Sequence, residues 1–253
     1  MSTEHTTKTI LVTGGTGTLG RLVTERLRLA GYEVRVLSRH SQPYAVDLRE
    51  GGPALDAALD GVDTVVHCAT TPRGDDDSTR NLVAAAGRAG VRHLVYISIV
   101  GVDRVPFPYY RTKLACEKIV EGSGLGWTIL RTTQFHDLVH RFLALFAKAP
   151  VMLVLGGVSD QPIEVAEVAD RLCELAAGEP AGRVPDMGGP EVHTFTHLAR
   201  AYLAASGRRR PLLPVRLPGK TYRAFVAGGH LTPERAVGKR TFAEFLAGTG
   251  KGA

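Results

Sequence analysis

The chain has 253 residues, 44% of them hydrophobic and 22% charged, and a formal net charge of +6 at pH 7; that suffices for one doubly wound domain and a modest extra lobe. Its basic residues are scattered apart from Arg208-Arg209-Arg210, a run that leads into a proline and reads as a solvated turn, which argues against a nucleic-acid partner. Cys68, Cys116 and Cys173 are odd in number and far apart, so they form neither a disulfide framework nor a zinc spacing, and no apolar run approaches the length of a membrane span.

A reduced cytoplasm is the simplest setting for such a composition, with no metal and no membrane partner expected. Met1–Thr7 is polar and short, a frayed tail rather than a signal peptide.

The first informative stretch is Thr9–Gly20, TILVTGGTGTLG. Ile10, Leu11 and Val12 form an apolar run that ends abruptly in Thr13-Gly14-Gly15, and amphipathic spacing begins at about Leu19. The pattern predicts a buried strand, a glycine turn and a helix start. Gly14, Gly17 and Gly20 are spaced G-x-x-G-x-x-G. Such a tight turn needs residues without a Cβ, and a pyrophosphate approaches only where no side chain intervenes. The amides and positive dipole end of the next helix then face the phosphates.

Leu19, Leu22, Val23, Leu27 and Leu29–Ala30 recur at helical spacing up to Gly31, and Glu33–Ser38 alternates as a second strand. Arg39 follows that strand. A fold preferring NAD places a carboxylate about there, whereas an arginine can pair with a 2′-phosphate. Ser38-Arg39-His40-Ser41 has no carboxylate, so NADP(H) is expected ahead of NAD(H).

Tyr44–Leu48 reads as a short third strand with Asp47 at its end, either accepting a hydrogen bond from an adenine amino group or capping a turn. Pro53–Leu59 reads as a helix and Thr64–Cys68 as a buried strand followed by Ala69-Thr70-Thr71, small residues suited to close passage of a ligand. His67 and Cys68 lack a partner at metal-ligand spacing. Asp75–Asp77 opens a helix that stops at Gly90, with acids at its positive dipole end. Leu94–Ser98 is a fifth strand, Gly101–Pro108 an irregular loop, Tyr109–Val120 a helix and Trp127–Leu130 a sixth strand. Alternating strands and helices predict a parallel sheet with right-handed crossovers.

Beyond Arg131 the alternation fades. Phe135–Ala147 reads as a helix, Val151–Leu155 as a short strand, Val165–Ala177 as a helix and Val184–Met187 as a last sheet strand. His197–Ala205 reads as a helix, Arg208–Pro218 as a proline-rich loop and Phe242–Leu246 as part of a short final helix. The expected architecture is therefore α/β, a Rossmann-type doubly wound parallel sheet over residues 1–134. Residues 135–253 would supply its last strand and a small substrate-binding lobe that is not an independent domain.

Tyr109 and Lys113 are four residues apart on a predicted helix and share a face. A free phenol has a pKa near ~10, too high for proton exchange at neutral pH. A neighbouring ammonium lowers it, and the same lysine can hold a ribose hydroxyl. Ser98, ending the preceding strand, can hydrogen-bond a substrate carbonyl. Tyr110, three residues from Lys113, is a rival for the phenol role.

The segments TGGTGTLG, VDL, LVYIS and YxxxK, with LVYISIVGVDRVPFPYYRTKLACEKIVEGSGLGWTILRTTQFHDL, PIEVAEVADRL and MGGPE, resemble the short-chain dehydrogenase/reductase superfamily, and within it the atypical NmrA-like, NAD(P)H-binding branch. The resemblance covers nearly the whole chain. It implies cofactor contacts at Gly14, Thr16, Gly17, Thr18, Leu19, Gly20, Arg39, Asp47, Leu48, Ala69, Thr70, Thr71, Lys113 and Phe135, and a catalytic trio of Ser98, Tyr109 and Lys113. Gln134 and His136 fall where relatives begin the substrate wall. The serine-to-tyrosine gap is short for the superfamily. The activity implied is an NADP(H)-dependent oxidoreductase acting on a small apolar carbonyl, enone or quinone. The alternatives are a non-enzymatic NADP(H) sensor and a redox-neutral epimerase or lyase on the same fold. The partner expected is a small molecule, and a homodimer is left open.

Overall fold

A computed structural model of the chain describes residues 8–71 and 73–249. Met1–Thr7, read as a tail, lies outside the described residues. The chain divides into two compact units. The first comprises Met1–Ser98, Arg111–Leu130 and Val168–Val184, and the second Ile99–Tyr110, Arg131–Glu167 and Pro185–Ala253.

The first unit is built on β1 (Thr9–Thr13), α1 (Thr18–Leu29), β2 (Glu33–Ser38), β3 (Tyr44–Ala45), α2 (Pro53–Leu59), β4 (Thr64–His67), α3 (Asp75–Arg88), β5 (His93–Ile99), α4 (Pro108–Glu121) and β6 (Gly126–Thr132). Its seven-stranded sheet has the order β3-β2-β1-β4-β5-β6-β9, where β9 is Gly182–Arg183. The pairings β1–β2, β1–β4, β2–β3, β4–β5 and β6–β9 are parallel. This is the doubly wound order of a Rossmann fold. It reverses between β1 and β4, the place where such sheets open a crevice at their carboxyl ends.

Alternation along each strand explains why both faces are covered. Leu11, Leu37, Val65, Leu94 and Tyr96 point into one layer with Leu55 and Leu59 of α2, Leu82 and Ala85 of α3, and Cys116 and Val120 of α4. Ile10, Val12, Val66 and Val95, of the opposite pleat, are also fully buried. Each such leucine or isoleucine contributes about 1.5–3 kcal/mol. On α1, Arg26 pairs with Asp170 and Val23 accepts from Cys173, both on α6 (Val165–Ala177).

The second unit packs α5 (His136–Phe146), β7 (Met152–Leu155), α7 (Phe195–Ala205) and α9 (Phe242–Thr249) around Leu143, Met152, Leu198, Tyr202 and Phe245. Two small sheets complete it. One pairs β8 (Ser159–Asp160) with β10 (His193–Thr194), the other β7 with β11 (Leu212–Val215). No helix among the described residues is long and apolar enough to cross a membrane.

Four local readings are corrected. The third strand stops at Ala45 because Asp47 turns the chain, accepting from the Arg49 amide at 3.0 Å while its carbonyl accepts from Glu50. The last strand of the sheet is Gly182–Arg183 rather than Val184–Met187, because Pro185 has no N–H for the ladder. Val184 and Met187 each still donate to β6, to Ile129 and Arg131. The proline-rich stretch contains strand β11, which tolerates Pro214 at a sheet edge, as Leu213 pairs with Leu153. Helix α8 (Lys220–Val226) arises where no helix is expected; it is short and none of its residues is buried.

Candidate cofactor and active site

The glycine turn is shaped by backbone-to-backbone contact. Gly14 has φ +64°, donates its amide to the Leu37 carbonyl at 2.9 Å, and would place a Cβ 2.7 Å from the Ala69 Cα. A Cβ at Gly20 would be driven into the Gly14 carbonyl oxygen. Helix α1 can therefore start hard against the end of β1 only because both positions are glycine. Gly17 caps α1 without a side-chain hydrogen bond, and no acid stands in the first turn. The helix opening therefore offers amides and a positive dipole end to an anion. Thr16, Gly17 and Thr18 are exposed there, while Leu19 and Gly20 are buried against the turn. A dinucleotide pyrophosphate fits this cradle, since it is an anion that needs amides and no intervening Cβ.

At the end of β2, Arg39 is exposed. Asp47 accepts from the Arg49 guanidinium at 2.6 Å, and those hydrogen bonds hold its carboxyl down at about 2. Leu48 turns its side chain into the core, and its carbonyl accepts from Asn81. Arg39 and Asp47 thus remain on the surface at the edge of the sheet, and Leu48 has only its backbone to offer.

Beneath the turn, a chain of hydrogen bonds joins the two strands at which the sheet order reverses. The Ala69 amide donates to Thr13 Oγ1 at 3.2 Å, and Thr13 Oγ1 lies 2.7 Å from His67 Nδ1. His67 Nε2 lies 3.2 Å from Thr79 Oγ1, which donates to the Asp75 carbonyl at 2.8 Å. Burial, aided by the Lys113 ammonium, drives the His67 pKa down to about 3, so the ring is neutral. His67 is therefore a strut of the sheet. Among the described residues no three His, Cys, Asp or Glu side chains gather as a metal site.

Asp75, at the start of α3, gathers the loop that follows β4. Its carboxylate accepts from Thr70 Oγ1 at 3.1 Å and from the Thr71 amide at 3.0 Å. The same carboxylate stands 3.7 Å from Lys113 Nζ, with the side chains only 2% and 4% exposed. The Lys113 ammonium also sits over the Tyr96 ring, 4.4 Å from its centroid. Asp76 and Asp77 instead face outward to Arg80. Of the three acids that open α3, the sequence distinguishes none; only the fold turns the first inward.

Ser98, next to last in β5, is buried, and its Oγ has no hydrogen-bond partner among the described residues. Such an orphaned hydroxyl is expected where a ligand atom is to be met. Tyr109 is half-buried one helical turn before Lys113 on α4. Tyr110 is buried, accepts from Gln134 Nε2 at 2.6 Å, and packs edge-on against Phe107 and Phe225. Burial and the Asp160 carboxyl push its phenol well above the ordinary range.

Gln134 and Phe135 are half-buried after β6, with the Gln134 amide committed to Tyr110. His136, expected at the substrate wall, is instead fully buried. Its Nε2 bonds the Arg240 carbonyl at 3.0 Å and its ring packs on Phe242 and Phe245 of α9. Its role is to anchor the carboxyl-terminal helix, a long-range contact that no local pattern announces.

Residues 14–177 match the family described as NAD(P)H-binding. The chain is 34% identical over 206 residues to a (4-alkanoyl-5-oxo-2,5-dihydrofuran-3-yl)methyl phosphate reductase of Streptomyces griseus, covering 73% of this chain and 69% of that one. It is 28% identical over 222 residues to quinone oxidoreductase 2 of Escherichia coli, covering 79% and 75%. In three dimensions it is similar to an NADPH-dependent quinone oxidoreductase from Escherichia coli complexed with NADPH. That likeness has a TM-score of 0.80 at 20% identity and covers 95% and 99% of the two chains. It is also similar to a UDP-N-acetylglucosamine 4-epimerase from Bacillus cereus, with a TM-score of 0.70 at 21% identity and 98% of each chain covered.

Proposed function

This chain belongs to the NAD(P)H-binding family and is an NAD(P)H-dependent oxidoreductase, and we propose that it is a reductase that uses NADP(H) on a small apolar carbonyl, enone or quinone. The observation that carries the reading is the cradle at the β1–α1 turn, where a Cβ on Gly14 or Gly20 would strike backbone. The names of two relatives, a furan-type phosphate reductase and a quinone oxidoreductase, support a conjugated or carbonyl substrate. Arg39 in place of a carboxylate after β2 supports NADP(H) over NAD(H).

Bound NADPH supplies the hydride. The protein's part is binding and proton management. Tyr109 gives its phenolic proton to the substrate oxygen, and Lys113, one turn along the same helix, holds a ribose hydroxyl. Ser98 Oγ, without a hydrogen-bond partner among the described residues, orients the oxygen that takes the proton. Tyr110 is unsuited to that task because its phenol is buried and bonded to Gln134.

NADPH titration followed by an oxidation screen across ketones, enones and quinones tests the proposal. Binding with NADPH consumed by at least one substrate class is expected. Binding with no consumption in any class would favour the sensor reading. Turnover that never releases oxidised cofactor would favour the redox-neutral one. Arg39→Asp should weaken NADPH by about tenfold or more with little effect on NADH, and an unchanged preference would remove Arg39 from phosphate recognition.

A further inference from the structure

We propose that Asp75 is a positioning residue for Lys113, fixing the lysine ammonium and tying it to the Ala69–Thr71 loop. The inference rests on the reading of this region as a cofactor site, and it concerns only residues of the first unit.

The geometry singles out this carboxylate. Lys113 is 3% exposed and Asp75 1% exposed, with 3.7 Å between Nζ and Oδ2. An ammonium removed from water needs a counter-charge, because desolvation of an unanswered ion costs several kcal/mol. The histidine, the thiols and the ring beside it do not supply one. From β4, His67 is neutral and the Cys68 thiol is pushed up to about 12 by burial. From β5, Tyr96 presents the face of its ring. On α4 itself, burial pushes the Cys116 thiol up as well. Glu117, four residues further along α4, is a second buried carboxylate; Asp75 on α3 is the one that stands 3.7 Å from the lysine nitrogen.

Asp75 has a second duty that makes it more than a counter-ion. One oxygen receives the Thr71 amide, and the other receives the Thr70 hydroxyl as well as facing the ammonium. A single carboxylate thereby sets the loop after β4 and the lysine of α4 in one register. Displacing the lysine would loosen the loop, and displacing the loop would loosen the lysine.

The test is a double-mutant cycle on NADPH affinity, read by fluorescence across pH 7 to roughly 9.5, a range below the free-lysine value of ~10.4. Asp75→Asn keeps the shape and can still meet Thr70 and Thr71, but removes the charge. In that variant NADPH affinity should fall by about tenfold. The loss should deepen toward high pH, because a buried lysine without its counter-charge gives up its proton early. In a Lys113→Met background the same Asp75→Asn change should alter affinity by less than about twofold. Asp75→Glu should restore the pH profile of the native protein. Equal losses in both backgrounds, or an unchanged pH profile in Asp75→Asn, would overturn the proposal. If Asp75→Asn alone fails to fold, recovery of folding in the double variant sustains it, and failure of both overturns it. Absence of NADPH binding by the unaltered protein would instead strike the cofactor reading itself, which separates the two failures.

Discussion

The Thr13 hydroxyl and the His67 Nδ1 atom lie 2.7 Å apart, on register partners of the two strands where the sheet order reverses. A neutral imidazole protonated on Nε2 lets every proton in the chain find an acceptor. The Ala69 amide gives to Thr13, Thr13 to His67, His67 to Thr79, and Thr79 to the Asp75 carbonyl. Its Thr13, His67 and Thr79 side chains are fully buried, so a lost member there leaves its partners unsatisfied. It ends at Ala69 on one side and at α3 on the other, which places it directly under the loop that faces the glycine turn.

Thr13→Val should therefore cost more than its size suggests. It leaves His67 Nδ1 without a donor and the Ala69 amide without an acceptor, so a loss of about 2 kcal/mol or more is expected. The urea midpoint should fall at unchanged slope, and NADPH affinity should fall with it as the Ala69 loop loses its tie. Native stability in Thr13→Val would show that the network is dispensable.

Gly20 and Gly17 look alike in the sequence, but the fold separates them. A Cβ at Gly20 would strike the Gly14 carbonyl, whereas one at Gly17 would lie 3.2 Å from the same oxygen, a contact relieved by a small shift. Gly20→Ala should abolish NADPH binding and lower the melting temperature. Gly17→Ala should change stability by within about 1 kcal/mol, while Gly17→Asp should eliminate binding by setting a like charge in the phosphate seat. Calorimetric titration of the three variants checks this order, and tight binding by Gly20→Ala would contradict it.

Much of the α/β framework was legible in the sequence because its information is local. Glu33–Ser38, Pro53–Leu59 and Val165–Ala177 are read with the boundaries the structure has, since apolar period and glycine or proline punctuation agree there. The glycine spacing likewise announced the cradle. What escaped depends on contacts made across the chain. Strand β11 carries Pro214 and is recognisable only by its pairing with β7. His136 has the composition of a site residue, yet Arg240, over a hundred positions away, settles its fate. Asp75 stands first in a run of three acids, and only the arrival of Lys113 from another helix distinguishes it.

Tyr109 and Tyr110 are neighbours on α4, and the proposed function gives the chemistry to the first alone. Tyr109→Phe should reduce kcat by about a hundredfold to ten-thousandfold, the range of a general acid, and leave NADPH affinity nearly unchanged. Tyr110→Phe removes the partner of Gln134 Nε2, whose Oε1 already lacks one among the described residues, and should destabilise by about 1–3 kcal/mol. Steady-state kinetics alongside thermal melts distinguish the two effects. A Tyr109→Phe enzyme with the native kcat would take that phenol out of the mechanism.

Asp160 gives the second unit a pH signature of its own. It is 3% exposed on β8, and burial raises its pKa from 3.8 to about 7, against the lowering influence of the Gln161 amide 2.8 Å away. With a folded value above the unfolded one, the native state holds a proton that the unfolded chain releases. The contribution to stability is therefore fully present below about 4 and is lost as pH rises to about 7, by at most ~1.4 kcal/mol per pH unit. His67 and His230 act in the opposite sense. Burial depresses them to about 3 and about 4, so their contribution is present above the unfolded value near ~6.5 and is lost as pH falls. Asp160→Asn keeps the oxygen that accepts from Gln161 and removes only the ionisation, so comparison with the native protein cancels the histidines. The variant should be the more stable of the two at pH 8, and the difference should shrink steadily toward pH 4. Denaturant melts at intervals across that range provide the measurement, and a difference independent of pH would mean that Asp160 keeps an ordinary carboxyl pKa in the folded chain.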